Sequence, residues 1–408
     1  MQVLSAPQLL LDDMLVDDGW VSVVDGRIRD VGTGAPPAPP TGQLPDGVLA
    51  PGLVDAQCNG AFGVDLVDAD DDAWDLVLRS LPSTGVTAVV PTFITAPIPR
   101  LAEALRRAGP RIQAAHRSAH PGRATALGVH VEGPFLSERR HGAHDARLLR
   151  DPDDAAIDEL LEAGGDALLY VTLAPERDGA MAATARLVRS GVRVAVGHSD
   201  AADEVVRAAA DAGATLVTHL YNAQRAFSHR DPGVVGAALT DRRLTSGLIV
   251  DLHHAAPTAI QLAFAAAPGR IMLVTDAIAA LGMPPGRYDL GGRATIVRDG
   301  QPPVRDDGVL AGSDLRLDAA VGNAVRCGIE PAIALAAATR VPADALGRED
   351  IGRIAPGARA DLVWLGTDWR TRRTWIAGEP VAADGADGAD GADGTDSTAG
   401  TPTSHEPA

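Results

Sequence analysis

A chain of 408 residues with a hydrophobic fraction of 46% can bury a large core, yet it contains no run of the roughly 18–20 apolar residues that would span a bilayer. A formal net charge of −18 argues against nucleic acid or an anionic membrane surface as partner, and two cysteines, Cys58 and Cys327, are too few for a disulfide framework and point to the reducing cytoplasm. All 36 basic residues are arginine, which excludes Schiff-base lysine chemistry, a P-loop lysine and a metal pair bridged by a carboxylated lysine.

The N-terminus, MQVLSAPQLLLDDM, lacks a basic n-region and meets acid at once, so no secretory signal is expected. Residues 1–50 hold short β-like runs around turns such as Asp25-Gly26 and end in a Pro/Gly-rich linker, GAPPAPPTGQLPDG. Residues 353–381 repeat that style, with alternating apolar residues and Gly/Asp turns. The two ends are predicted to build one small β-sandwich domain together. From 382 to 408 the chain is acidic and low in complexity, DGADGADGADG, and is expected to be a disordered tail. Its Asp-Gly repeats lack a complete calcium-ligand loop.

The middle, 51–352, alternates apolar runs with helical patterns. Eight runs end in VLAPGLVDAQCNG, TAVVPTF, LGVHVEGPF, LLYVTLAPE, VRVAVGHSD, TLVTHLYNA, SGLIVDLHH and IMLVTDA. Between the fifth and sixth lies a helix, AADEVVRAAADAG, with Gly213 as its stop. Eight strands alternating with helices over roughly 230 residues have the rhythm of a TIM-like (β/α)8 barrel, whose active sites lie at the carboxyl ends of the strands. No GxGxxG follows a first strand, which disfavours a doubly wound sheet.

Polar residues stand where these strands stop. Gln57 and Asn59 follow the first, Glu132 the third, His198 and His219 the fifth and sixth, Asp251 and His254 the seventh, and Asp276 the eighth. A lone strand-end histidine is more often structural than a ligand. Two of them with a glutamate match a catalytic zinc set that keeps one position open. A divalent ion there would polarise a carbonyl and acidify its water, with Asp276 taking and returning the proton. In the loop after His219, Asn222, Arg225 and Arg230 suit an anionic group such as phosphate, although Arg225 reads as easily as a solvated surface residue.

In this order, PGLVDAQCNG, HVEGPF, GAH, VGHSD, THLYNA, HRDPG, DLHH, VTDA and LAGS resemble the N-acetylglucosamine-6-phosphate deacetylases of the amidohydrolase superfamily, up to about Gly378. The resemblance implies one divalent metal ion per subunit on Glu132, His198 and His219. Zinc is the expected ion, with iron, manganese or cobalt as alternatives. It implies Asp276 as general base and acid. His144, beside Ala143 in GAH, would polarise the acetamide carbonyl. Asn222, Ala223, Arg230 and His254 would bind the sugar phosphate, and Leu310, Ala311 and Gly312 would line the substrate. Similar enzymes are oligomers, commonly dimers, whose phosphate ligands can come from the neighbouring subunit, so a homodimer is expected. The wider superfamily carries His-x-His after strand one for a second metal; here Gln57-Cys58-Asn59 stands in that place, which favours one metal, with Gln57 holding a water or a substrate hydroxyl. Three other readings remain open: the galactosamine 6-phosphate epimer as substrate, another amidohydrolase reaction, and an inactive barrel that binds sugar phosphates.

Overall fold

The computed structural model describes residues 1–117, 120–297 and 300–381; the acidic tail expected over 382–408 lies outside them. The eight apolar runs form one parallel barrel. Its second to eighth strands, Val86–Ile94, Val129–Glu132, Leu168–Leu173, Arg193–Val196, Leu216–Val217, Thr245–Leu248 and Ile271–Leu273, pair in sequence order. The first strand, Leu53–Cys58, pairs with the second. Every residue of the first two strands is buried, as expected when both faces of a parallel sheet are covered.

Eight helices, from Asp71–Ser80 to Leu317–Arg326, follow the eight strands and wrap the outside. The Asp71–Ser80 helix shows the logic. Asp70 caps it by accepting from the amide of Ala73, and its Trp74, Val77 and Leu78 face turns inward. The expected helix between the two histidines is Asp203–Asp211, and Gly213 follows at φ +107°, a conformation that favours glycine.

The barrel closes at the carboxyl ends of its first and eighth strands. The amide of Asp276 donates to the carbonyl of Gln57 at 2.9 Å, and that of Asn59 to the carbonyl of Ala277 at 2.7 Å. Below this seam, the buried Asp55 carboxylate accepts from the amide and hydroxyl of Thr275 at 3.1 and 2.6 Å. Closure therefore sets Gln57 and Asn59 beside Asp276.

The two chain ends share a second sheet. Gln2–Leu11, Met14–Val24 and Arg27–Thr33 form a meander, and Val48–Pro51 runs parallel to the first of these. Leu362–Leu365, Thr371–Ile376 and Glu379–Pro380 complete it. Arg27 bridges back to Arg359, so this single hydrogen-bonded sheet returns on itself. It encloses a core that includes Leu4, Leu9, Val21, Ile28, Leu362 and Trp375. Gly52 joins Val48–Pro51 to the first barrel strand, and a Cβ there would lie 2.2 Å from the Thr87 hydroxyl.

Beyond the sequence reading, the eighth βα connection carries a small antiparallel sheet, Gly286–Leu290, Arg293–Val297 and Val304–Arg305. Its Leu290 and Val297 pack with Ile94, Ile278, Ala280 and Ala311 into a separate cluster, against which Ala143 and Tyr288 lie. Among the described residues, no helix is long and apolar enough to cross a membrane.

Candidate active site

Glu132 ends the third barrel strand, and His198 and His219 stand two residues beyond the fifth and sixth. His198, His219 and Asp276 have positive φ of 48°, 25° and 49°. Such left-handed turns are uncommon outside glycine. Here they turn the chain sharply as it leaves the strand, and all three side chains face the barrel mouth.

The Oε1 atom of Glu132 lies 3.1 Å from Nε2 of His198 and 3.1 Å from Nε2 of His219, and the two Nε2 atoms are 3.0 Å apart. An ion bound tetrahedrally at about 2.0–2.1 Å holds its ligand atoms about 3.3 Å apart, so these atoms make one face of such a tetrahedron. His198 Nδ1 donates to the Arg140 carbonyl at 2.9 Å, which places the ring proton there and leaves Nε2 as a lone-pair donor.

Burial opposes the charge of Glu132, but the two histidines outweigh it and hold its carboxyl well below the usual range. Burial likewise opposes protonation of His219, yet the adjacent Glu132 carboxylate raises its pKa to about 9. The triad therefore favours a positive charge at Nε2, which a divalent ion would supply in place of the proton. These three residues can hold a cation, and they are the only such cluster among the described residues.

Asp276 sits beside the triad with both nearby amides on one oxygen. Its Oδ1 accepts from Asn59 Nδ2 at 2.7 Å and from Gln57 Nε2 at 3.0 Å, and Gln57 also donates to Glu132 Oε2 at 3.3 Å. Burial, and then the Glu132 charge, raise the Asp276 carboxyl above its ordinary range. A raised carboxyl suits a group that must accept a proton and return it; a cation on the triad would draw it back down.

His144 enters from the loop after the third strand. Its Nδ1 lies 2.8 Å from the Thr95 hydroxyl, its ring packs edge-on to His198 with centroids 4.4 Å apart, and burial holds its pKa well below the ordinary value. It is a neutral imidazole at the mouth.

These groups line a cavity of about 270 Å³, just under the usual range for small-molecule sites. Glu132, Ala143, His144, His198, His219, Asn222, Ala223, His254, Asp276, Leu310 and Gly312 all border it. Gln57 is buried and reaches the site through its two bonds. Ala311 is buried within the packing cluster behind the wall. His254 is fixed by Asp251, whose Oδ2 lies 2.6 Å from its Nδ1. Arg225 pairs with Asp231 and donates to the Asp200 carbonyl. Arg230 is exposed and outside the cavity lining.

Sequence reasoning did not assign Asn59 its bond to Asp276, nor find Thr95, the ring partner of His144. Thr95 follows the second strand, so the strand-end rule that found the other polar groups would have reached it. The apolar wall of Ile94, Ile249, Leu290 and Val309 had no such signal.

The match to known proteins agrees with this geometry. A model of the amidohydrolase family matches residues 48–381, and the chain belongs to that family, whose members use a divalent metal. Within it, the chain is 38% identical over 380 residues to an N-acetylgalactosamine-6-phosphate deacetylase of Escherichia coli O157:H7, covering 92% of this chain and 98% of that protein. It is 40% identical over 351 residues to an N-acetylglucosamine-6-phosphate deacetylase of Homo sapiens, covering 82% and 83%. A mutant N-acetyl-D-glucosamine-6-phosphate deacetylase from Mycobacterium smegmatis, solved in complex with N-acetyl-D-glucosamine-6-phosphate, superposes with a TM-score of 0.88 at 36% identity, covering 94% of this chain and 99% of that one.

Proposed function

We propose that this enzyme hydrolyses the acetamide of N-acetyl-D-glucosamine 6-phosphate to D-glucosamine 6-phosphate and acetate, in amino-sugar catabolism. The observation that carries the reading is the convergence of Glu132, His198 and His219 on one point, 3.0–3.1 Å apart, beside a raised Asp276 carboxyl in a cavity of monosaccharide size. One zinc ion on that triad would supply Lewis acidity towards the amide carbonyl and towards a water molecule.

The chain's own residues do the rest. The two amides on Oδ1 of Asp276 fix the plane of its carboxylate, so Oδ2 takes the proton of the attacking water. Oxygen adds to the carbonyl carbon, and the neutral His144 donates a hydrogen bond to the oxygen that gains charge. The C–N bond then breaks as Asp276 returns its proton to the leaving nitrogen, releasing an amine and a carboxylate. Asn222 and His254 hold the phosphate, and that remote grip aligns the amide. Arg230, exposed outside its own cavity lining, would serve the phosphate of a neighbouring subunit in a homodimer. Two buried free thiols, Cys58 and Cys327, support a reducing cytoplasmic setting.

The test is acetate release from N-acetylglucosamine 6-phosphate, its galactosamine epimer and the unphosphorylated sugar. The proposal expects the first to be preferred and the last to be poor. Preference for the epimer would transfer the reading to the galactosamine enzyme, in line with the relative of which the chain covers 98%. Release from none of them would leave an inactive barrel.

A further inference from the structure

The segment carrying His144 has no helix or strand of its own, yet several carbonyls from Arg140 to His144 are engaged. The Arg140 carbonyl accepts from the His198 ring at 2.9 Å. That of His141 accepts from the His144 amide at 3.0 Å, and that of His144 lies 3.1 Å from the His141 ring. The carbonyls of Gly142 and Ala143 accept from one guanidinium nitrogen, Nη1 of Arg305, at 3.2 and 3.4 Å. Arg305 lies 162 residues away from Ala143 in sequence and belongs to the small sheet in the eighth connection.

Arg305 is itself fixed. Its side chain is only 13% exposed, and its Nη2 pairs with Asp307 at 2.7 Å. Its backbone amide is held as well: it donates to the Val309 carbonyl at 2.8 Å, and Val309 and Leu310 form part of the cavity wall. With Nη2 tied to Asp307, the guanidinium plane is fixed, and the two N–H groups of Nη1 are aimed at two successive carbonyls in a way that a freely rotating ammonium is not. The apolar cluster behind it points the same way, since Ala143 rests on Leu290, Val297 and their neighbours.

We propose that Arg305 is a positioning residue for the deacetylation: it latches the His141–His144 segment to the Gly286–Arg305 sheet and so places the His144 imidazole against the acetamide carbonyl. Arg305 does not line the cavity and acts only through that segment. The role in catalysis rests on the function proposed above; the latch itself does not.

Six proteins test it: wild type, Arg305→Ala, Arg305→Lys, His144→Ala, the His144→Ala/Arg305→Ala double variant, and Arg287→Ala as a control. Arg287 lies in the same sheet but is 61% exposed. Hydrogen exchange over residues 138–147 should quicken in Arg305→Ala and stay at the wild-type rate in Arg287→Ala, whatever the substrate turns out to be. Unchanged exchange in Arg305→Ala would overturn the latch. With acetate release as readout, Arg305→Ala should lower kcat on the order of tenfold, because misplacing a catalytic group by an ångström costs that much or more, while KM changes less. Arg305→Lys should recover part of the loss. In a His144→Ala background the same substitution should cost less than twofold, since the group being positioned is gone. Fully additive losses, or a rise in KM alone, would overturn the link to His144. If wild type releases no acetate while the exchange result stands, the function fails and the latch survives.

Discussion

Replacing Asn59 with alanine deletes the shorter of the two amide bonds on Asp276, at 2.7 Å against 3.0 Å for Gln57. Gln57 cannot compensate fully because its amide is already shared with Glu132 at 3.3 Å. A hydrogen bond to a charged group contributes about 1.5–3 kcal/mol, equivalent to about one to two pKa units. Asn59 lines the cavity, so water can replace part of the bond, and the lower end of that range applies. Burial and the Glu132 charge already raise the Asp276 carboxyl, whereas Asn59 opposes them. Its loss must therefore raise the carboxyl further. The base works only when ionised, so activity falls as pH drops through its pKa, and a higher pKa starts that fall at a higher pH. The acid limb of kcat should move up by about one pH unit, with the plateau above it reduced by less than about tenfold. Initial rates of acetate release from about pH 5 to 9 measure both. An unmoved limb with a lowered plateau would refute the reasoning and leave Asn59 as part of the cavity wall.

Asp276→Asn should retain metal and substrate binding but lose roughly 10²–10⁴-fold in kcat; a rate near wild type, with metal content measured alongside, would remove Asp276 from proton transfer. Arg230→Ala should raise KM for the phosphorylated sugar with little effect on kcat, and it should do so only if two subunits share a site; an unchanged KM rules it out of the phosphate grip. Asp55 gives a stability prediction. Burial raises its pKa to about 7 despite its bonds to Thr275 and Gln57, above the unfolded value of about 4. The folded chain thus binds more protons between those values, and stability falls as pH rises from about 4 to about 7. Asp55→Asn should flatten that part of the stability profile, as read by urea unfolding across the window; a parallel profile would show that Asp55 titrates normally.

The barrel is legible in the sequence because strands buried on both faces appear as apolar runs, each interrupted by the first polar residue that must face the mouth. That is how Glu132, His198, His219 and Asp276 stand out. The same rule marks Asn59 and Asp276 separately but not the bond between them, which depends on closure of the first strand against the eighth, more than two hundred residues apart. The Gly286–Arg305 sheet escapes notice for a related reason. Its strands are short, and the surface they cover is supplied by residues distant along the chain or outside its strands, Ile94 at the end of the second barrel strand, Ala143 in the loop after the third, and Ile278, so no local period announces it. Arg305 carries no motif. Only its two bonds to Gly142 and Ala143 give it a role.

Gly312 shows a case between these. Its place in LAGS is visible, but its reason is steric: φ is +60°, and a Cβ would lie 2.5 Å from Ile278 Cγ2 and 2.7 Å from the Asp276 carbonyl oxygen. The loop therefore approaches the strand end at Asp276 as closely as a backbone without a side chain allows.

A three-ligand, single-metal hydrolase must carry its metal and its activity together, and metal content per chain, measured on the same sample as acetate release, checks this. About one divalent ion per chain is expected, with metal and turnover lost together on chelation, restored together on adding zinc, and both absent in His219→Ala. Two ions per chain, or full turnover from metal-free protein, would contradict it.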